Sequence, residues 1–272
     1  MGKNKLIKNS LYSYLIEGMF FLLVLLLLLA PVIVLVVVSF NPETIEFPPK
    51  GFSFRWYKEM FERKDFINSI YTSFSLAFLV ALISTIIAIP TSLALTRYRF
   101  WGKELLNSII NSPTLVPTVL IGLALFQFFI SIGIYGSFLA LIIGHIVITL
   151  PFPIRIICAS LRAFNPFWEE AARCVGATES QTFIKITLPL IRQGIFGGVL
   201  FAFIISWNNF PVSLFLASAK TITLPVQLYG YLRYEYKPLI TAISTTIVFF
   251  SGLLIIIMDR FLGIESLFVN SK

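Results

Sequence analysis

Charge is scarce in this chain. Asp, Glu, Lys and Arg make up 12% of its residues, about half the roughly 25% of a soluble domain. A surface wetted on every side cannot be built from that supply, so the soluble classes are excluded. Cysteine is nearly absent too. Cys158 and Cys174 lie in or beside segments expected at the cytosolic face, which excludes a disulfide framework. His145 is the single histidine, and no carboxylates cluster inside the apolar runs. An intramembrane enzyme would need a Ser/His pair, a metal-ligand cluster or paired carboxylates, and none is there. The chain lacks a Gly-x-x-x-x-Gly-Lys-Ser/Thr phosphate loop, so ATP hydrolysis is not expected of it. It also lacks a basic stripe interleaved with stacking aromatics, so nucleic acid is not an expected partner.

What the chain does hold is apolar length. Hydrophobic residues make up 57% of it and the mean hydropathy is +0.89. They fall in blocks long enough to cross a bilayer, which takes about 20 helical residues. The pattern predicts an all-α membrane protein with six spans, near 17–39, 69–95, 105–131, 136–160, 191–217 and 239–261. The first block follows Lys3, Lys5 and Lys8 but is far longer than a signal-peptide core of about 7–15 residues, and is read as an uncleaved span. Ser112-Pro113 and Val116-Pro117 interrupt the third, which is expected to be kinked or partly unwound because proline removes a helix hydrogen bond.

The net charge of +8 is read as orientation. With both termini inside, 13 of the 21 basic residues fall in cytosolic segments, as the positive-inside bias requires. This divides the chain into a cytosolic N-terminus 1–16, a transmembrane domain 17–262 with a core 68–262, and a cytosolic tail 263–272. The largest cytosolic piece is an insert at 161–193. The longer external segments are loops at 41–68 and 218–238.

The insert reads as two short helices. Asn165-Pro166 is a helix start, and Glu169 and Glu170 sit where the helix dipole favours negative charge. Ala171 and Ala172 keep the helix slim, and Gly176 stands where a left-handed residue would end it. Thr178 with Gln181 forms a capping box for the second helix, which runs toward Pro189. A stiff, polar knob tied to two spans suits the transmission of a displacement.

Glu170-Ala171-Ala172, then Gly176, then Ile186-x-Leu188-Pro189 resembles the EAA signature of permease subunits of binding-protein-dependent ABC importers. The resemblance implies a type I importer permease fold in which the insert is a coupling helix. Glu169, Glu170, Ala171, Ala172, Gly176 and Ala177 would then seat against a separate ATP-binding subunit. It further implies two such ATPase subunits, which bind the ATP and Mg²⁺, so this chain needs no cofactor of its own. A second permease subunit, sister or identical, would complete the pore, and an external solute-binding protein would deliver the solute. The location implied is a bacterial or archaeal inner (plasma) membrane, spanned several times and in contact with lipid.

Broken helices and sparse polar groups mark mid-membrane sites in transporters. The candidate path residues are Pro113, Thr114 and Pro117 in the third span, and Trp207, Asn208, Asn209 and Phe210 in the fifth. Two roles are open for the Asn208-Asn209 pair: lining the path, or hydrogen bonding between helices. His145 has no ionisable neighbours in its span, so a packed neutral ring is expected rather than a proton relay. An ion-driven secondary transporter would call for buried charges on span faces, which are missing.

Val38-Ser39-Phe40-Asn41, Gly51-Phe52 with Trp56-Tyr57, and Tyr98-Arg99-Phe100 with Gly102-Lys103 look like the spermidine/putrescine branch of the family. Relatives of that branch import phosphonates and ferric ion. Polyamine permeases tend to carry an acidic residue in the fifth span where this chain has Asn208-Asn209, and a missing carboxylate weakens the attraction for a cation.

Overall fold

A computed structural model describes residues 2–234 and 237–262, and the tail 263–272 lies outside the described residues. Helix α1 (Gly2–Val38) is followed by α2 (Arg55–Glu62), α3 (Lys64–Arg97) and α4 (Lys103–Asn111). A 3₁₀ turn at Ser112–Thr114 leads to α5 (Thr118–Ser131), α6 (Phe138–Thr149) and α7 (Pro151–Ala163). The insert holds α8 (Phe167–Cys174) and α9 (Glu179–Thr182), the latter continued by a π turn at Phe183–Thr187 and by α10 (Leu188–Leu190). Then come α11 (Arg192–Trp207), α12 (Pro211–Leu216), α13 (Leu224–Tyr234) and α14 (Leu239–Leu262).

The chain forms two compact units, one of residues up to 63 with 231–249 and one of 64–230 with the rest of α14. In the first, α1 ends in a polar clasp. The Ser39 hydroxyl meets the Tyr57 hydroxyl at 2.7 Å, and the Trp56 indole N–H donates to the Asn41 carbonyl, also at 2.7 Å. Phe40, Phe52, Phe54 and Tyr57 pack ring to ring around it. The Met19–Leu29 stretch of α1 is exposed.

In the second unit α3 is the central post. Leu76, Val80, Ser84, Ala88 and Ser92 are all buried and stand four apart, which stacks them on one helix face. That face meets α6, α7 and α11. Its small residues let backbones approach, as membrane helices favour, and its hydroxyls find partners. Ser84 meets the Thr149 hydroxyl at 3.1 Å and Ser92 donates to the Ile154 carbonyl at 3.1 Å. A methyl group at Gly194 of α11 would lie 2.5 Å from Ser160 Cβ of α7, so only glycine permits this crossing.

Three expected spans are not single rods. The Glu17–Val38 and Lys64–Arg97 segments are long and apolar enough to cross a membrane unaided. The third span bends by 102° between Lys103–Thr114 and Thr118–Ser131, beyond the expected kink. The fourth, expected continuous over 136–160, bends by 42° between α6 and α7, where Pro151 and Pro153 withdraw two helix donors. The fifth, expected over 191–217, meets the preceding insert helix at 67° and breaks again between Trp207 and Pro211. The two segments expected to be external loops contain helices, α2 within 41–68 and α13 within 218–238.

Candidate functional site: the polar insert and the broken spans

Local signals build the insert as the sequence predicts. The Asn165 carboxamide accepts from the Phe167 amide at 3.0 Å. Thr178 and Gln181 exchange both hydrogen bonds of a capping box, at 3.2 and 3.0 Å. Gly176 has φ +89°. The Ala177 amide donates back to Ala172 and the Gly176 amide to Arg173, which is the Schellman ending that a left-handed glycine allows.

The two glutamates face different surroundings, Glu169 buried and Glu170 exposed, as the turn of about 100° between successive helical residues allows. Glu169 is 8% exposed. Its Oε2 lies 3.1 Å from Arg97 Nε at the end of α3, and its Oε1 accepts from the Thr187 hydroxyl at 2.7 Å. The Arg97 guanidinium also sits 4.7 Å above the Phe164 ring. Glu169 therefore ties the first insert helix to the second and to α3. Glu170 is exposed and forms no ion pair with any described residue. Around it the outer surface carries Phe167, Trp168 and Val175, the last 86% exposed. Ala171, Ala172 and Ala177 are half-buried, and Gly176 is exposed. Sequence reasoning missed Arg97 and Thr187. The helical period could have separated Glu169 from Glu170, but nothing local pointed to Arg97.

At the break in the third span, Arg155 of α7 bridges two side chains on either side of Pro113. Its Nε donates to Asn111 Oδ1 at 2.7 Å and its Nη2 to the Thr114 hydroxyl at 3.2 Å. Pro113 and Thr114 are half-buried and Pro117 is exposed. At the break in the fifth span, Asn209 Oδ1 accepts from the Val212 amide at 3.0 Å and so starts α12. Asn208 is exposed, with its amide donating to the Ile204 carbonyl at 3.1 Å. Trp207 is buried between the rings of Phe203 and Phe250. Phe210 packs on Tyr229. The two broken spans meet through α5 and α12: a methyl group at Gly122 would lie 3.2 Å from the Pro211 carbonyl.

His145 spans the fifth-span break. Its Nδ1 is 2.8 Å from Ser206 Oγ, before the break, and its Nε2 is 3.0 Å from Ser213 Oγ, after it. The Ser213 hydroxyl donates to the Asn209 carbonyl at 2.8 Å, so Ser213 can only accept from the ring. Nε2 therefore carries a proton, and in a neutral ring Ser206 donates to Nδ1. The ring is packed, as expected from sequence, and struts the break between two serine partners that were not foreseen. Among the described residues no three His, Cys, Asp or Glu side chains gather as a metal site.

Comparison with known proteins agrees with this architecture. Residues 86–264 match the family described as binding-protein-dependent transport system inner membrane component. The spermidine/putrescine transport system permease protein PotC of Haemophilus influenzae is 30% identical over 222 residues, covering 82% of this chain and 86% of that protein. The putrescine transport system permease protein PotI of Escherichia coli is 28% identical, covering 78% of each. The sulfate transport system permease protein CysT of Salmonella typhimurium is 30% identical over 66% of this chain and 70% of its own length. Among solved structures, a bacterial ABC transporter for alginate import superposes with a TM-score of 0.73 at 19% identity, over 96% of this chain and 98% of its own. The MetNI methionine ABC transporter superposes with a TM-score of 0.62 at 19% identity, over 72% and 94%. The fold is that of a type I ABC importer permease, an all-helical membrane transport subunit rather than an enzyme. The chain belongs to the family of inner membrane components of binding-protein-dependent transport systems.

Proposed function

We propose that this chain forms one half of the translocation path of an ATP-driven importer and is driven through its insert. The observation that carries the reading is the two-sided insert. Its inner side is fixed to α3 by Glu169 and Arg97, while its outer side leaves Glu170, Phe167, Trp168 and Val175 exposed among the described residues. A helix clamped on one side and bare on the other suits the groove of a second protein. The partner is an ATP-binding subunit carrying ATP and Mg²⁺, present twice, with a second permease and an external solute-binding protein completing the assembly. Both termini and the insert lie in the cytosol of a bacterium or archaeon, and the breaks at Pro113–Pro117 and Trp207–Phe210 border the path.

The solute is a polyamine such as spermidine or putrescine. The relatives named for those solutes match along most of the chain. The missing carboxylate at Asn208-Asn209 assigns charge recognition to the external binding protein or the other permease. The test reconstitutes the whole assembly in vesicles and measures uptake of labelled spermidine together with ATP hydrolysis. Glu170→Lys is expected to insert and fold normally but to abolish solute-stimulated hydrolysis and uptake. Unimpaired uptake by that variant would overturn the coupling role, and uptake of sulfate in preference to spermidine would overturn the substrate.

A further inference from the structure

A cavity of about 380 Å³ opens between α4 and α7. Lys103, Arg155 and Arg162 line it, opposed by one carboxylate, Glu104. The cations are not neutralised locally. Arg155 is held by an amide oxygen and a hydroxyl, and Lys103 Nζ donates to the Tyr98 carbonyl at 3.1 Å. Arg162 and Glu104 form no ion pair with any described residue. The floor is apolar, with Leu95, Ile154 and Cys158 all buried.

The surroundings match an interface between lipid and water. Trp101, 98% exposed, and Tyr98, exposed too, stand beside Lys103, and such amphipathic rings gather at headgroup depth. Leu105 and Ile109 of α4 are exposed, an apolar strip next to the cationic opening. A cationic rim beside an apolar strip is complementary to a molecule with an anionic head and a hydrocarbon tail. Basic pockets between membrane helices on the cytoplasmic side bind anionic headgroups, and guanidinium forks match phosphate oxygens two at a time.

We propose that this cavity binds the phosphate of an anionic phospholipid from the inner leaflet, with Arg162 and Lys103 as its principal grips. The choice of leaflet rests on the cytosolic assignment of the insert made above. An anchored headgroup there would steady α4 against α7 where the third span is broken.

The experiment uses the intact assembly in nanodiscs, phosphatidylcholine being replaced stepwise by phosphatidylglycerol, and counts retained lipid by native mass spectrometry. The wild type is expected to retain phosphatidylglycerol in preference to phosphatidylcholine. Arg162→Gln and Lys103→Gln are each expected to weaken that retention about fivefold, while Arg162→Lys keeps it and so separates charge from folding. Equal retention of both lipids, or undiminished retention by the double glutamine variant, overturns the proposal. Inorganic phosphate that displaces the lipid competes for the same cations and supports it. Phosphate binding to a complex that retains no phosphatidylglycerol overturns the lipid source. Solute-stimulated ATP hydrolysis is followed on the same wild-type samples. Its absence in every lipid would overturn the importer reading and leave the lipid titration intact.

Discussion

Removing the Glu169 carboxylate tests whether the insert is fixed to the transmembrane body. The carboxylate lies 3.1 Å from Arg97 Nε, and the two side chains are 10% and 21% exposed. Deleting one partner of a fully buried pair costs about 3–5 kcal/mol, because the other charge is stranded. Arg97 retains some solvent and keeps the Phe164 ring, which lowers the expected loss for Glu169→Ala to about 2–3 kcal/mol. Glu169→Gln preserves shape and can still accept from Thr187, so it isolates the charge and should cost about 1–2 kcal/mol. The assay is a double-mutant cycle with Arg97→Ala, read from denaturant unfolding of the detergent-purified chain. A coupling energy of about 1–2 kcal/mol is expected. Glu170→Gln should change stability by no more than about 0.5 kcal/mol, as for an exposed residue. A cycle that closes with additive single losses, or a larger stability loss at Glu170 than at Glu169, would refute the inward and outward assignment of the two glutamates.

Other outcomes follow from single contacts. Gly176→Ala puts a Cβ on a φ of +89° with no described residue within 4 Å to obstruct it, so about 1 kcal/mol of backbone strain is expected; it should register as faster amide exchange at Ala177, and unchanged exchange would contradict it. His145→Leu leaves the Ser206 and Ser213 hydroxyls without the ring and should cost about 2–4 kcal/mol, seen as a lower thermal midpoint; an unaltered midpoint would mean the ring is not a strut. Gly194→Ala drives a methyl group to 2.5 Å from Ser160 Cβ, and the α7–α11 crossing should open. Overpacking of this kind costs about 1–3 kcal/mol, and Ser160→Gly in the same chain should restore the midpoint if the clash is the cause.

The sequence disclosed the features that depend on neighbours a few residues away. The Thr178–Gln181 box, the Asn165 cap and the left-handed Gly176 each involve residues within one turn, and each was found as expected. The bend between α6 and α7 was also written locally, in Pro151 and Pro153, but the apolar character of 136–160 outweighed it. What could not be read were pairings between distant elements. Arg97 ends α3 and Thr187 lies beyond the turn at Gly176, and only the packed insert brings both to Glu169. Arg155 of α7 likewise reaches the Asn111 and Thr114 side chains at the break of another span, a pairing no local pattern announces. A residue-type pattern gives each of these groups a plausible solvent role, and the fold overrides it.

The distribution of stiff and yielding joints bears on how a push on the insert would travel. The insert continues directly into α7 on one side and α11 on the other, and those helices cross with backbones so close that Gly194 admits no side chain. Its third tie is the Glu169–Arg97 pair to α3. A load on the outer face of α8 therefore enters α3, α7 and α11 together, and sliding among them would require the crossing at Gly194 to separate. The breaks at 112–117 and 208–210 differ in kind. Each has lost helical hydrogen bonds and is bridged by one side chain from another helix, Arg155 in the first and His145 in the second. A bridge of two hydrogen bonds, of net worth about 1 kcal/mol each, lets the backbone turn at the break more readily than an unbroken helix can bend. Displacement should thus concentrate at the two breaks, which are the segments lined by Thr114, Asn208 and Asn209.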